Sequence, residues 1–140
     1  MGGIARNIVP DLVEITGEIR SMDHEQALSL ARQIRETFET EAGKLGGRAE
    51  VNVTEEFKAY RIQKDEYVVA HFQEVCKKLG LSGTLEDTFG GSDNNHFTAH
   101  GIRGIVVANA MNEVHTKKEW TTVDEMVKAA ELTLKLATVE

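Results

Sequence analysis

Two stretches hold the residue types that chemistry needs: Gly90-Gly91-Ser92-Asp93-Asn94-Asn95-His96-Phe97 and, further along, Asn112-Glu113-Val114-His115-Thr116. A glycine pair lets a ligand come close to the backbone, and Ser92 and Asp93 add a hydroxyl and a carboxylate. His115 falls on a polar turn, where an imidazole can reach a metal. A single histidine does not hold a metal, so the pattern is a catalytic edge without a catalytic centre. Gly90-Gly91-Ser92-Asp93 also reads as a strand-to-helix turn with Ser or Asp as N-cap, and the N–H groups of such a turn suit a carboxylate or a developing oxyanion. Both roles can coexist.

Other groupings are weaker. His96 and His100 stand at i and i+4, the spacing that puts two imidazoles on one helix face, but His-Phe-Thr-Ala-His lacks the glutamate of a metalloprotease helix. Surface or packing roles are expected for both. Ser92, Asp93 and His96 do not make a triad, because a base and its orienting carboxylate seldom meet within five residues and no nucleophile elbow is present. Cys76, the only cysteine, excludes an intrachain disulfide, fits a reducing compartment and reads as a buried small hydrophobe.

Four segments in order, Gly2-Gly3-Ile4-Ala5-Arg6-Asn7-Ile8-Val9-Pro10, Gly17-Glu18-Ile19-Arg20-Ser21, Gly90-Gly91-Ser92-Asp93 and Val114-His115-Thr116, resemble the C-terminal part of the M20 family of zinc aminopeptidases and deacylases. Within it they look like the peptidase T-like branch, the tripeptide aminopeptidases. The resemblance implies that Gly90, Gly91, Ser92 and Asp93 shape a substrate pocket and that His115 is the last zinc ligand. It implies that Asn7 and Arg20 of a smaller lid domain contact bound substrate, in some members from the neighbouring subunit. Arg61 could serve similarly. An arginine suits a peptide carboxylate because its guanidinium binds in a bidentate manner; without the resemblance, Arg20 reads as a surface ion pair with Glu18 or Glu14.

The family's other zinc ligands lie on a segment with H-x-D, a bridging aspartate and a glutamate pair, which together hold two ions about 3.5–4 Å apart. This sequence has no H-x-D, and Glu55-Glu56 reads as a solvated strand end. The expectation is a C-terminal portion or truncated relative of a small-peptide aminopeptidase, with zinc absent or weakly bound, no catalytic residue of its own and no activity alone. The rivals are a non-catalytic oligomerisation or small-peptide-binding protein, and one half of a split enzyme.

Size and charge narrow the classes. The 140 residues suffice for one domain, and 41% hydrophobic with 28% charged residues is ordinary for a globular chain. A net charge of −7 and the lack of a Lys/Arg cluster argue against nucleic-acid binding. No leader-like opening and no apolar run of about 18 residues is present, which excludes a membrane partner and gives a cytoplasmic expectation.

The elements that must position these residues follow from periodicity. Val13, Ile15, Gly17 and Ile19 alternate with polar neighbours, as do Ala49, Val51 and Val53, predicting strands with one buried face. Asp23 with Gln26 predicts a helix start, Ala27, Leu30, Ala31, Ile34, Phe38, Ala42 and Leu45 its stripe, and Gly46-Gly47 its end. Asp65 is the predicted cap of a second helix with Val68, Phe72, Val75, Cys76 and Leu79 inside, closing at Gly80. A short strand over 84–89, a helical piece over 93–99, and a strand at Ile105-Val106-Val107-Ala108 covered on both faces come next. Thr122 with Glu125 predicts a last helix burying Val123, Met126, Val127, Ala130, Leu134 and Ala137.

The predicted class is therefore α/β, in the order β-α-β-α-β-(α)-β-α. The resemblance divides it into a partial lid over 1–60 and the C-terminal part of a catalytic α/β domain over 61–140. Strand edges without neighbours invite association, so a homo-oligomer is expected.

Overall fold

The computed structural model describes residues 7–138. Among the described residues four helices carry the structure: α1 His24–Lys44, α2 Tyr67–Leu79, α3 Asp93–Ala99 and α4 Val123–Ala137. The chain divides into two compact units, Met1–Thr54 and Glu55–Glu140.

α1 and α4 begin where their sequences satisfy the first free N–H groups. Asp23 Oδ1 accepts the Gln26 N–H at 3.1 Å. The reciprocal half of the expected box is relayed, since Gln26 Oε1 accepts from Ser21 Oγ, which itself accepts the Asp23 N–H. At α4 the box is direct: Thr122 Oγ1 accepts the Glu125 N–H, and Glu125 accepts the Thr122 N–H. The ends of α1 and α2 use glycines at positive φ, Gly46 at 73° and Gly80 at 66°, a conformation that any side chain would strain.

The start of α2 differs from expectation by one residue. Glu66, not Asp65, is the N-cap, and it makes no side-chain cap bond. Its carboxylate is occupied elsewhere: it accepts the Gln63 N–H at 2.7 Å and both Nε and Nη2 of Arg103, Nε at 2.8 Å. Arg103 also donates to the Arg61 carbonyl at 3.0 Å, so one guanidinium ties the loop after α3 to the approach to α2. That clamp holds the Glu66 carboxyl at about 2, first through Arg103 and then through the Gln63 N–H.

The core lies in the second unit, where α2 packs on α4. Phe72, Val75, Cys76 and Leu132 are buried together, with Leu79, Leu81, Ile105, Val107 and Leu136 against them. Burial pushes the Cys76 thiol up, as expected of an inert, enclosed sulfur. The expected face holds at Phe72, Val75, Cys76 and Leu79, and differs only at its start, where Val69 is buried and Val68 half-buried.

The expected face of α4 is corrected more sharply. Leu132 is buried and Ala129 and Leu136 are half-buried, while Val123, Met126, Val127, Ala130, Leu134 and Ala137 are exposed. This helix carries apolar residues on two faces, and α2 covers one of them.

The predicted strands also differ. The segments 12–20, 49–53, 84–89 and 105–108 form no ladder among the described residues; Asn112 and Trp120 make an isolated antiparallel bridge. Period-two alternation favours a pleated ribbon, but a strand exists only where a neighbour takes up its N–H and C=O groups. Ile15 is accordingly exposed, at 70%. At 105–108 one face is covered rather than two, with Ile105 and Val107 against the core and Val106 outside.

Candidate functional site

The glycine-serine-aspartate turn leads into α3 and is fixed by the two asparagines after it. Asn95, 9% exposed, accepts the Ser92 N–H with its Oδ1 and donates through Nδ2 to the Lys58 carbonyl, each at 3.0 Å. Asn94 donates through Nδ2 to Tyr60 Oη at 2.7 Å and to the Gly104 carbonyl at 2.9 Å. Together they staple the turn to segment 57–60 and to the loop after α3. A buried amide with both ends engaged holds a backbone more firmly than an apolar contact, because losing either partner leaves a desolvated polar group.

Gly91 is explained by its neighbour. A Cβ there would lie 2.7 Å from the Phe57 ring, so the close approach that the glycine pair promised is to this chain's own aromatic residue. Phe57 in turn meets the His96 ring, centroids 5.3 Å apart and tilted by 52°. Gly90 donates its N–H to Thr88 Oγ1 at 3.0 Å. Ser92 Oγ is shielded from solvent and faces the Asn95 N–H across the capping box that opens α3. Asp93 is exposed at the first position of α3.

His115 stands in a separate loop before α4, exposed and at φ 63°. Ala110 and Glu113 are also at positive φ, 67° and 49°. Three non-glycine residues in the left-handed region within six positions is a concentration of strain typical of functional loops. The loop is closed at its base by paired backbone bonds between Asn112 and Trp120 at 3.0 and 3.2 Å. Inside it, Thr116 Oγ1 donates to the Glu113 carbonyl at 2.8 Å and accepts the Lys118 N–H at 3.0 Å.

In the first unit, Arg20 pairs with Glu18, and this contact lowers the Glu18 carboxyl from its ordinary range. Arg20 also lines a groove of about 380 Å³ with Ser21, Gln26, Leu30 and Gln33. Asn7 is exposed in a turn. The neighbouring segment 2–6 lies outside the described residues. Arg61 faces Asp87 at 3.6 Å.

His100 Nδ1 lies 2.8 Å from the His96 carbonyl, and the His96 ring is engaged by Phe57, so both histidines have local structural partners. Among the described residues no three His, Cys, Asp or Glu side chains converge where a metal could sit. The donor set of the described residues therefore does not fit a two-zinc centre. Asn94, Asn95 and Glu119 have no chemical signature in the sequence; Asn95 alone had a positional one, three residues after Ser92, where a capping partner stands.

Comparison with known proteins gives this geometry its setting. Residues 2–139 match Peptidase family M20/M25/M40. The Bacillus subtilis (strain 168) protein YqjE is 34% identical over 131 residues, covering 94% of this chain and 35% of that protein. The crystal structure of aminopeptidase PepT from Bacillus cereus ATCC 10987 superposes with a TM-score of 0.68 at 31% identity, over 81% of this chain and 31% of the other. A tripeptidase from Staphylococcus aureus subsp. aureus Mu50 does so with a TM-score of 0.75 at 30% identity, over 83% and 31%. The chain thus spans about a third of the length of these relatives. With nearly its whole length matched and its fold shared with two peptidases, this chain belongs to peptidase family M20/M25/M40.

Proposed function

We propose that this polypeptide supplies the C-terminal part of a peptidase T-like zinc aminopeptidase acting on small peptides, and that by itself it does not turn substrate over. The observation that carries this reading is the isolation of His115: it is presented on a strained, tied loop, yet among the described residues no set of three metal-binding side chains forms. A dication needs several donors converging on one point. In the complete enzyme two zinc ions would activate a water, with a glutamate of another segment as general base.

Here His115 would be one zinc ligand. Gly90, Gly91, Ser92 and Asp93 would form a wall of the substrate pocket, held by Asn94 and Asn95. Asn7 and Arg20 would meet the peptide, with the guanidinium on its carboxylate. The two units would correspond to a partial lid, over about 1–60, and the end of the catalytic domain, over 61–140, and the alternating segments would become strands once their neighbours are supplied. A cytoplasmic location accords with Cys76 kept as a buried thiol.

The direct test is a tripeptide hydrolysis assay on the purified chain with added zinc. The account expects no turnover. Turnover abolished by His115→Ala would overturn it.

A second reading is favoured by the bare apolar faces of α1 and α4: a non-catalytic member that uses the scaffold to oligomerise or bind a peptide. A defined homo-oligomer in sedimentation, with stoichiometric peptide binding and no hydrolysis even after other family segments are added, would select it over a half-enzyme.

A further inference from the structure

Glu119 is four residues past His115, and one of its carboxylate oxygens, Oε2, accepts the His115 N–H at 2.9 Å. The Glu119 N–H in turn reaches the Thr116 carbonyl at 3.3 Å, and the Thr116 N–H reaches the Glu113 carbonyl at 3.2 Å. Two consecutive turns therefore fold the chain back until the carboxylate meets the amide of the residue at φ 63°. We propose that Glu119 is the positioning residue of this loop: its carboxylate captures the His115 amide and so holds His115 in the left-handed conformation that fixes where the imidazole is presented. This rests on the reading of His115 as a ligand to a metal completed from outside the chain.

At His115 a backbone cost is offset by a hydrogen bond. A non-glycine residue in the left-handed region is disfavoured by contact between its Cβ and the following carbonyl. The arrangement persists only when surroundings over-determine it. His115 is exposed, so packing does not hold it. A backbone N–H donating to a carboxylate oxygen makes the stronger kind of hydrogen bond, and the amide of His115 has this one partner described.

The test is a double-substitution cycle in the full chain, melted while following Trp120, the single tryptophan, which closes the base of the loop. His115→Gly and His115→Ala both remove the imidazole, but alanine keeps the Cβ and its strain. With Glu119 present the glycine variant should melt about 3 °C above the alanine variant. Glu119→Gln keeps an oxygen acceptor and should preserve that gap. Glu119→Ala frees the loop to relax, and the gap should fall below about 1 °C.

Amide exchange supplies a second readout that needs no melting transition. The His115 N–H should exchange at least about tenfold faster in Glu119→Ala than in the unaltered chain or Glu119→Gln, the loss of one hydrogen bond's protection. An undiminished glycine–alanine gap in the Glu119→Ala background, or unchanged His115 exchange there, would overturn the proposal. Peptide turnover by the chain alone would defeat the functional reading and leave both readouts of the loop unaffected.

Discussion

α1 and α2 read alike in sequence and end differently in structure. α1 runs for 21 residues with a continuous apolar stripe, yet Ala31 is its only buried residue, and Leu30, Ile34 and Phe38 are 44%, 36% and 43% exposed. α2 is 13 residues long and buries Val69, Phe72, Val75 and Cys76. The difference is the partner: α4 meets α2 within the second unit. Amphipathic periodicity states which face a helix will bury and leaves open what will bury it. α4 makes the same point within one helix, with Leu132 covered and Val123, Met126, Val127 and Leu134 bare.

The comparison can be broken most severely in the covered helix. Phe72→Ala should destabilise the second unit by about 3–5 kcal/mol, the usual cost of emptying a packed aromatic site, and should collapse hydrogen-exchange protection in α2 and α4 together. Protection lost in α2 alone would show that the two helices do not share a core.

Asn95→Ala should cost about 1–3 kcal/mol, because the Lys58 carbonyl and the Ser92 N–H lose their shared partner where water does not replace it. Its signature is local, with faster exchange at Ser92 and altered chemical shifts at Phe57 and Lys58. An unchanged melting temperature and unchanged shifts would mean that the staple does not hold the turn.

The clamp at α2's start gives a pH signature. The Glu66 carboxyl is held at about 2 in the folded chain against an ordinary 4.5. A depressed folded value means the clamp's contribution is fully present above about 4.5 and is lost as the pH falls toward 2. Glu66→Gln should therefore lower the melting temperature above about 4.5, where the clamp is fully present, and flatten its decline across that window, so that the two proteins converge as the pH nears 2. An identical acid limb in the variant would remove the clamp from the stability account.

At the small end is the bare face. Leu134→Glu, at a residue 63% exposed, should move the protomer's stability by no more than about 0.5 kcal/mol. It should still weaken any self-association measured by sedimentation. A large loss of protomer stability would show that this face is already covered.

The helices were legible because their signals are local. Asp23, Thr122 with Glu125, Gly46 and Gly80 each act within a turn of the element they delimit, and the structure uses all of them. The strands over 12–20 and 49–53 were legible only as a pattern, since pairing depends on segments distant in sequence or on another chain. The face of α4 was misread for a related reason: two apolar stripes on one helix give no internal sign of which one the neighbour will take. In the site, the His115 turn and the glycine turn were visible from residue type. Asn95 showed only its capping position after Ser92, and Asn94, Arg103 and Glu119 showed nothing, because an amide, a guanidinium or a carboxylate acquires its role from where the chain brings it.

Under the proposed function, His115 is a single imidazole offered to a metal site completed from outside the chain. Native mass spectrometry of the purified chain across a zinc titration tests it most directly. The account predicts no tightly held ion, only weak occupancy that falls in His115→Ala. Two zinc ions per protomer, retained through exchange into metal-free buffer, would contradict it.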